Sequence, residues 1–290
     1  MMPIEKVADE NGDTLTLLFC NGMYWAPVFN EQAIENMRDL PLRTDDILLC
    51  SYPKSGCHWV WEIVRILLAG QISHGEVVHK ESFMLEWNPH DVLASLPSPR
   101  VLNTHTPFEL MPRDLLVKKP KVVFYYRNFK DLAVSFYYHH TGIPPFEYNG
   151  SFDAHTKLLV KGTIDHGSPF DYIRGWEKGI SENPDLSVFV GSYEDLKENS
   201  LAEVRRLSEF LGRDYSDEFL QQVCDFTSFE SMKKLKADLT FKTKEGESVM
   251  YRKGQVGDWK NHFTVALNEW FDEIIQRENA DSKLKFRYTL

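Results

Sequence analysis

An apolar run, Ile47-Leu48-Leu49-Cys50, leads into Tyr52-Pro53-Lys54-Ser55-Gly56-Cys57-His58-Trp59, and an amphipathic stretch follows from Trp59 to Leu68. A strand, a tight turn holding a lysine and a glycine, and a helix N-terminus in that order constrain the fold more than any other segment. The strand is apolar throughout, so it reads as buried on both faces, as in a parallel sheet covered by helices. The free N–H groups of a first helical turn and the helix dipole both favour negative charge at such a junction. The segment predicts an anion cradle at the carboxyl end of a buried strand, with Lys54 as its mobile charge. A βα turn whose lysine is merely solvated is the plainer alternative. Trp59, an aromatic placed to stack on a nucleobase, favours the cradle.

The same alternation continues along the chain. Arg100 to Asn103 reads as a short strand, and Val122-Val123-Phe124-Tyr125-Tyr126 as a buried one followed by a helix from Lys130 to about His140. Val188-Phe189-Val190 is a further strand, with a long helical pattern after it from Leu196 to Leu211. A last helix runs from about Thr264 to Arg277 on Val265, Leu267, Trp270, Phe271 and Ile274. Buried strands separated by helices predict an α/β fold, a central parallel sheet flanked by helices. No repeat or Pro/Gly/Ser-rich linker divides the chain, so residues 1–290 are expected to form a single domain. Ligands of such sheets sit at the carboxyl ends of the strands. Lys54 and Arg127 each follow a strand and are expected on one edge.

Lysine and arginine number 33 against 43 acidic residues, a formal net charge of −10. That balance argues against nonspecific binding to nucleic acid or to an anionic membrane. An anionic ligand must then be held by local basic clusters. The cradle is one. Arg127-Asn128-Phe129-Lys130-Asp131, with Ser135 one turn on, is a second: Asn128 suits an N-cap, and Asp131 three residues later resembles the partner in a capping box. Arg127 then stands at a strand end, where a guanidinium makes bidentate contact with phosphate. A capped helix with a surface arginine reads equally well from this segment alone. The third lies between Lys233 and Asn261, where Lys233, Lys234, Lys236, Lys242, Lys244, Arg252, Lys253 and Lys260 accompany Gly246, Gly254 and Gly257. The stretch lacks periodicity and reads as a long loop. Within it Arg252-Lys253-Gly254 gathers two charges and open backbone N–H groups, though a solvated basic loop is the bland reading. Three separated cationic sites in an acidic chain suggest a ligand with phosphate groups in two places.

Asn103-Thr104-His105-Thr106-Pro107 puts a histidine at an expected strand end, on the edge of Lys54 and Arg127. With an ordinary pKa of about 6.5, histidine is the natural general base at neutral pH. His139-His140 ends a helix and reads as pocket wall or surface, with no partners at metal-ligand spacing. Cys20, Cys50, Cys57 and Cys224 show no C-x-x-C spacing, which suits a reducing compartment and gives neither a disulfide framework nor a zinc site. No metal is expected. Asn149-Gly150-Ser151 reads as a plain turn. The first fourteen residues are polar and mixed in charge, unlike a signal or transit peptide. The most apolar helix-like run is broken by Glu62 and Arg65 and is too short to span a bilayer. A cytoplasmic location is the expectation.

Taken together, these segments resemble the cytosolic sulfotransferase family. Its 5′-phosphosulfate loop looks like Tyr52-Pro53-Lys54-Ser55-Gly56 with Trp59. Its 3′-phosphate segment looks like Arg127-Asn128-x-Lys130-Asp131-x-x-Val134-Ser135, and its C-terminal signature like Arg252-Lys253-Gly254-x-x-Gly257-Asp258-Trp259-Lys260. Tyr193 to Asn199 and Thr227-Ser228-Phe229 match as well, and the ordered resemblance runs from about residue 45 to the C-terminus. It implies a P-loop nucleotide-kinase-like domain using 3′-phosphoadenosine 5′-phosphosulfate (PAPS), with 3′-phosphoadenosine 5′-phosphate (PAP) as product. The true Walker pattern is not met, because no glycine stands in the apolar run ahead of Lys54. By resemblance, Lys54, Ser55, Gly56, Cys57 and His58 surround the 5′ group. Trp59 and Phe229 pack on the adenine, and Tyr193 and Thr227 bond near it. Arg127, Ser135, Arg252, Lys253 and the Gly254 backbone hold the 3′-phosphate. His105 removes the acceptor proton, Lys54 stabilises the leaving oxygen, and Ser135 holds Lys54 away from the donor until the acceptor binds.

The resemblance also implies an apolar acceptor pocket, with Phe29, Phe83, Trp87 and Phe170 as lining residues that would serve equally well as core. A phenol, a steroid, another alcohol or an amine all fit that description. Lys260-x-x-x-Thr264-Val265-x-x-x-Glu269 looks like the family's homodimerisation motif. Two positions depart from the family pattern. Cys57 and His58 stand where hydroxyl residues are usual, and Asn103 stands where many members have a lysine two residues before the base, so that auxiliary charge is expected to be absent. A phosphoryl-transferring kinase would need a full Walker loop and a magnesium-binding acid. A non-catalytic nucleotide-binding protein would be expected to lack Lys54 or His105. Membrane-anchored sulfotransferases share the two cofactor segments but not the Arg252–Lys260 signature.

Overall fold

The computed structural model describes residues 3–73, 78–243, 246 and 248–290. Its centre is a parallel sheet of β4 (Ile47–Ser51), β5 (Val101–Thr104), β6 (Lys121–Tyr126) and β7 (Val188–Ser192), in the spatial order β5-β4-β6-β7. Ahead of it, β1 (Ile4–Ala8), β2 (Thr14–Cys20) and β3 (Met23–Trp25) form an antiparallel sheet that the sequence reading had left unassigned. Every residue of β4 is buried. Leu48 and Cys50 join one core with Leu102, Phe124 and Trp176, and Ile47 and Leu49 join another with Val101, Val123 and Tyr125. Successive side chains of a strand point to opposite faces, so both faces are apolar because both are covered.

Helix α1 (Cys57–Ala69) covers the second face through Val60, Trp61, Val64 and Leu67. It ends where Gly70, at φ 67°, returns its N–H to Ile66 O at 2.9 Å. On the first face lie α2 (Phe129–Gly142) and α3 (Pro169–Glu182), whose Trp176 stacks on Phe124 at 5.2 Å between centroids. The expected long helix from Leu196 to Leu211 is instead α4 (Tyr193–Glu198) and α5 (Ser200–Phe210). Asn199 divides them at φ −143° and ψ 77°, and its side chain caps the second helix by accepting from Ala202 N at 3.1 Å.

The stretch from Lys233, expected as a loop, begins inside α6 (Phe229–Lys236). Ser228 caps that helix and Met232 buries its inner face, so local order starts before the glycines do. Lys236 turns inward onto the buried Glu62 carboxylate rather than toward a ligand. Beyond it come short 3-10 turns at Ala237–Leu239 and Asp258–Asn261 and a single bridge between Lys242 and Ser248. Lys244 lies outside the described residues. Helix α7 (Val265–Glu278) closes the chain with Thr264 as N-cap. Among the described residues no helix is long and apolar enough to cross a membrane.

The register levels the strand ends. Cys50 pairs with Thr104 and Phe124, and Tyr126 with Ser192. Everything that follows those ends, from Tyr52, His105, Arg127 and Tyr193 onward, therefore opens on one edge.

Candidate active site

The turn after β4 is tight because Lys54 and Gly56 both adopt left-handed conformations, at φ 69° and φ 94°. Glycine is required at the second position. A Cβ there would also lie 2.8 Å from the Tyr193 ring. Gly56 accepts from Trp59 N and Val60 N to start α1, and no side chain caps that end. The first turn of α1, with no side-chain cap, belongs to the cavity lining through Cys57 and His58. Cys57, His58 and Trp59 line the same cavity as Lys54 and Gly56. Ser55, expected at the 5′ group, is fully buried and does not line the cavity.

Two loops close over the cradle. Arg127 donates to Lys54 O at 3.1 Å and to Gln255 O at 3.2 Å, and its guanidinium lies over the Tyr193 ring at 4.2 Å. Asn128 caps α2 as expected, accepting from Asp131 N at 2.9 Å. The capping box is not reciprocal. Asn128 N donates to Glu194 Oε1, and the Asp131 carboxylate reaches the C-terminal loop, accepting from Gly257 N at 2.7 Å and Trp259 N at 3.0 Å. Asp258 then accepts from Arg252 and Lys253, each at 2.7 Å. These donors hold the Asp258 carboxyl far below the usual carboxylate range, even though burial pushes the other way. Gly254, at φ 64°, lies so close to Phe229 that a Cβ would sit 2.3 Å from the ring.

The Lys54 amine rests on the Met250 thioether at 3.1 Å. Among the described residues no hydrogen bond joins it to Ser135, although both line the cavity. Burial, with the neighbouring Arg127, Arg252 and Lys80, lowers the Lys54 pKa from 10.5 to about 7.

His105 leaves the end of β5 with its ring buttressed. Ring Nδ1 lies 2.7 Å from Ser51 O, so Nδ1 carries the hydrogen and Nε2 remains the acceptor. Glu86, fully buried, accepts from His105 N at 2.5 Å and from the Thr104 and Thr106 hydroxyls. Burial, then Lys80 and His166, hold the His105 pKa well below 6.5. The ring is neutral and ready to take a proton. His139 lines the cavity as expected, whereas His140, read as pocket wall or surface, is buried 2.7 Å from His155 and 2.8 Å from Asp165.

A sulfotransferase-domain family profile matches residues 44–283. The chain belongs to the sulfotransferase family. It is 36% identical to human Sulfotransferase 1E1 over 269 residues, covering 87% of this chain and 90% of that one. Sulfotransferase 1B1 of Canis lupus familiaris is likewise 36% identical, over 87% of this chain and 90% of its own. Among solved structures, mouse sulfotransferase SULT7A1 complexed with PAP aligns with TM-score 0.79 at 28% identity, over 92% of this chain and 95% of that one. Retinol dehydratase, at 20% identity and TM-score 0.78, shares the fold over 95% of this chain and 92% of its own.

In this sulfotransferase the cavity brings together Lys54, Gly56, Cys57, His58, Trp59, His105, Arg127, Ser135, Tyr193, Thr227, Phe229, Arg252, Lys253 and Gly254. Of the expected acceptor residues, Phe29 and Trp87 line it, edge to face at 5.8 Å. Phe83 and Phe170 do not: Phe83 packs on Trp61 at 5.4 Å, and Phe170 sits in the core on Phe129 at 4.4 Å. The sequence reading missed Phe241, Met84 and His166 on the same wall. It also missed Lys80, whose signal was only a lysine in an unpatterned polar stretch. His58 meets Glu81 at 2.9 Å, so the substituted cradle position brings an imidazole–carboxylate hydrogen bond instead of a hydroxyl. Among the described residues no cluster of three or more side chains could hold a metal ion.

Proposed function

We propose that the sulfotransferase moves a sulfuryl group from PAPS to a hydroxyl or amine of a small, largely apolar acceptor, with His105 as general base and Lys54 on the leaving oxygen. Family membership carries the reaction, and the residue roles are our reading. The observation behind them is the Nδ1 bond of His105 to Ser51 O, which leaves Nε2 free in the cavity that also holds Lys54.

The residues fit a donor phosphorylated in two places. Arg127, Ser135, Arg252, Lys253 and the Gly254 backbone would hold the 3′-phosphate, with Asp258 pre-aiming two of those cations. Trp59 and Phe229 would flank the adenine, with Tyr193 and Thr227 beside it. Trp59 Nε1 is buried with no protein partner among the described residues. Gly254 needs its missing Cβ to lie flat over Phe229. The uncapped turn at Cys57 and His58 would face the 5′ group.

When bound, the donor supplies the sulfuryl group. His105 Nε2 takes the acceptor proton as the acceptor atom bonds to sulfur. Lys54 stabilises the negative charge left on the phosphate oxygen as its bond to sulfur breaks. Met250, from the basic loop, makes with the Lys54 amine the contact that was expected of Ser135. Phe29, Trp87 and Phe241 make an aromatic acceptor wall that favours flat apolar molecules.

The same reading extends to assembly and location. Lys260, Thr264, Val265 and Glu269 are exposed, Val265 at 76%, which suits a self-pairing patch for a homodimer. One domain over residues 1–290 in the cytoplasm completes it. The test is transfer of labelled sulfuryl group from PAPS across phenols, steroids, other alcohols and amines. Conversion of at least one apolar acceptor class is expected, and failure with every class would overturn the acceptor assignment.

A further inference from the structure

Asn103 leaves the position two residues before the base without a charge, and the fold returns a charge there from another segment. Lys80 is only 4% exposed, and its amine donates to Asn103 Oδ1 at 2.8 Å. The clamp is reciprocal: Asn103 Nδ2 donates to Lys80 O at 2.9 Å, and Asn103 O accepts from Leu85 N at 3.0 Å. Lys80 lines the cavity together with Lys54, His58 and His105.

A buried ammonium is costly unless a carboxylate meets it closely. Lys236 on Glu62 and Arg100 on Asp46 follow that rule. Lys80 departs from it. Its nearest carboxylate, Glu81, is 4.0 Å away and is already engaged by His58 at 2.9 Å, and its other partner is the Met84 thioether at 3.9 Å. A positive charge held on a neutral amide in a ligand cavity is placed to act on what enters the cavity.

We propose that Lys80, held by Asn103, is a positioning residue for the transfer: its ammonium supplies a fixed positive charge in the cavity that holds His105 and Lys54 and acts on the proton transfer at His105. The proposal rests on the reading of His105 as the base. The groups around the ring are Lys80, His166 and His58, which oppose a charge on it, and the Ser51 carbonyl, which favours one. Glu86 is bound to the His105 backbone N–H, and His139 of α2 lines the same cavity. Burial and Lys80, in that order, are the two largest influences that lower the His105 pKa. The same ammonium adds to the field that receives the donor's anionic sulfuryl group.

The test uses Lys80→Met, Lys80→Arg and the exchanged pair Lys80→Asn with Asn103→Lys. The readouts are the His105 ring titration by NMR, with His105→Ala identifying the signal, and the pH dependence of kcat/KM. Lys80→Met should raise the His105 titration by about one pH unit, the scale of one nearby like charge. It should also move the acid limb of kcat/KM upward by the same amount. Lys80→Arg and the exchanged pair should return both toward wild type, because each restores a cation beside Asn103 or in its place. An unmoved His105 titration in Lys80→Met, or an exchanged pair no better than Lys80→Met, would overturn the proposal. If Lys80→Met does not fold, as judged by thermal melting and PAP binding, the exchanged pair decides alone, and a His105 titration there that departs from wild type would overturn the proposal. Turnover retained by His105→Ala would instead remove the base role, while the ring titration would still report whether Lys80 acts on its surroundings.

Discussion

Lys54 couples nucleotide binding to protons. Burial and then Arg127, Arg252 and Lys80 bring its pKa to about 7, so the free protein carries it charged below that pH and neutral above. An anion in the cradle favours the charged form. At about pH 8, one unit above that pKa, recharging the lysine costs about 1.4 kcal/mol, and at about pH 9 roughly 2.7 kcal/mol. PAP affinity should therefore fall by up to about tenfold for each unit above 7, and binding should take up close to one proton near pH 8. Calorimetric titration of PAP near pH 8 in two buffers of different ionisation enthalpy reads that uptake directly. Lys54→Met should abolish it and flatten the affinity profile. No uptake in the wild type, or uptake that survives in Lys54→Met, would refute the reasoning.

Arg127→Ala should weaken PAP by about 10- to 100-fold, the scale of one or two charge-assisted hydrogen bonds. The 3′-dephospho nucleotide should lose much less, and equal losses in a calorimetric comparison would remove Arg127 from the 3′-phosphate. Val265→Glu should yield monomers in sedimentation velocity with the melting temperature little changed, since the residue is 76% exposed. An unchanged dimer would rule out that interface.

Much of the catalytic edge could be read in the sequence because its parts are local. The bounds of β4, the turn after it and the Asn128 cap each depend on a few consecutive residues, and the structure reproduces them. What was missed depends on contacts between distant segments. Lys80 meets Asn103 across 23 positions, and its own stretch has no hydrophobic period. Asp131 was assigned to its own helix end, yet its carboxylate is used 126 positions away, because Glu194 had already taken the Asn128 N–H. Phe83 and Phe170 lie outside the cavity lining for the same reason. Aromatic side chains fill cores and line pockets alike, and only tertiary packing separates the two. The antiparallel sheet between Ile4 and Trp25 went unassigned because the chain's parallel pattern begins only after it.

The central claim is that His105 is the base of a sulfuryl transfer. It is tested most directly by measuring turnover and PAP affinity together in His105→Ala. The account predicts turnover lower by about 100-fold or more, the usual range for a lost general base, with PAP affinity within about threefold of wild type. Retained turnover would contradict it, whereas parallel loss of turnover and PAP affinity would show that His105 supports the nucleotide site rather than the proton transfer.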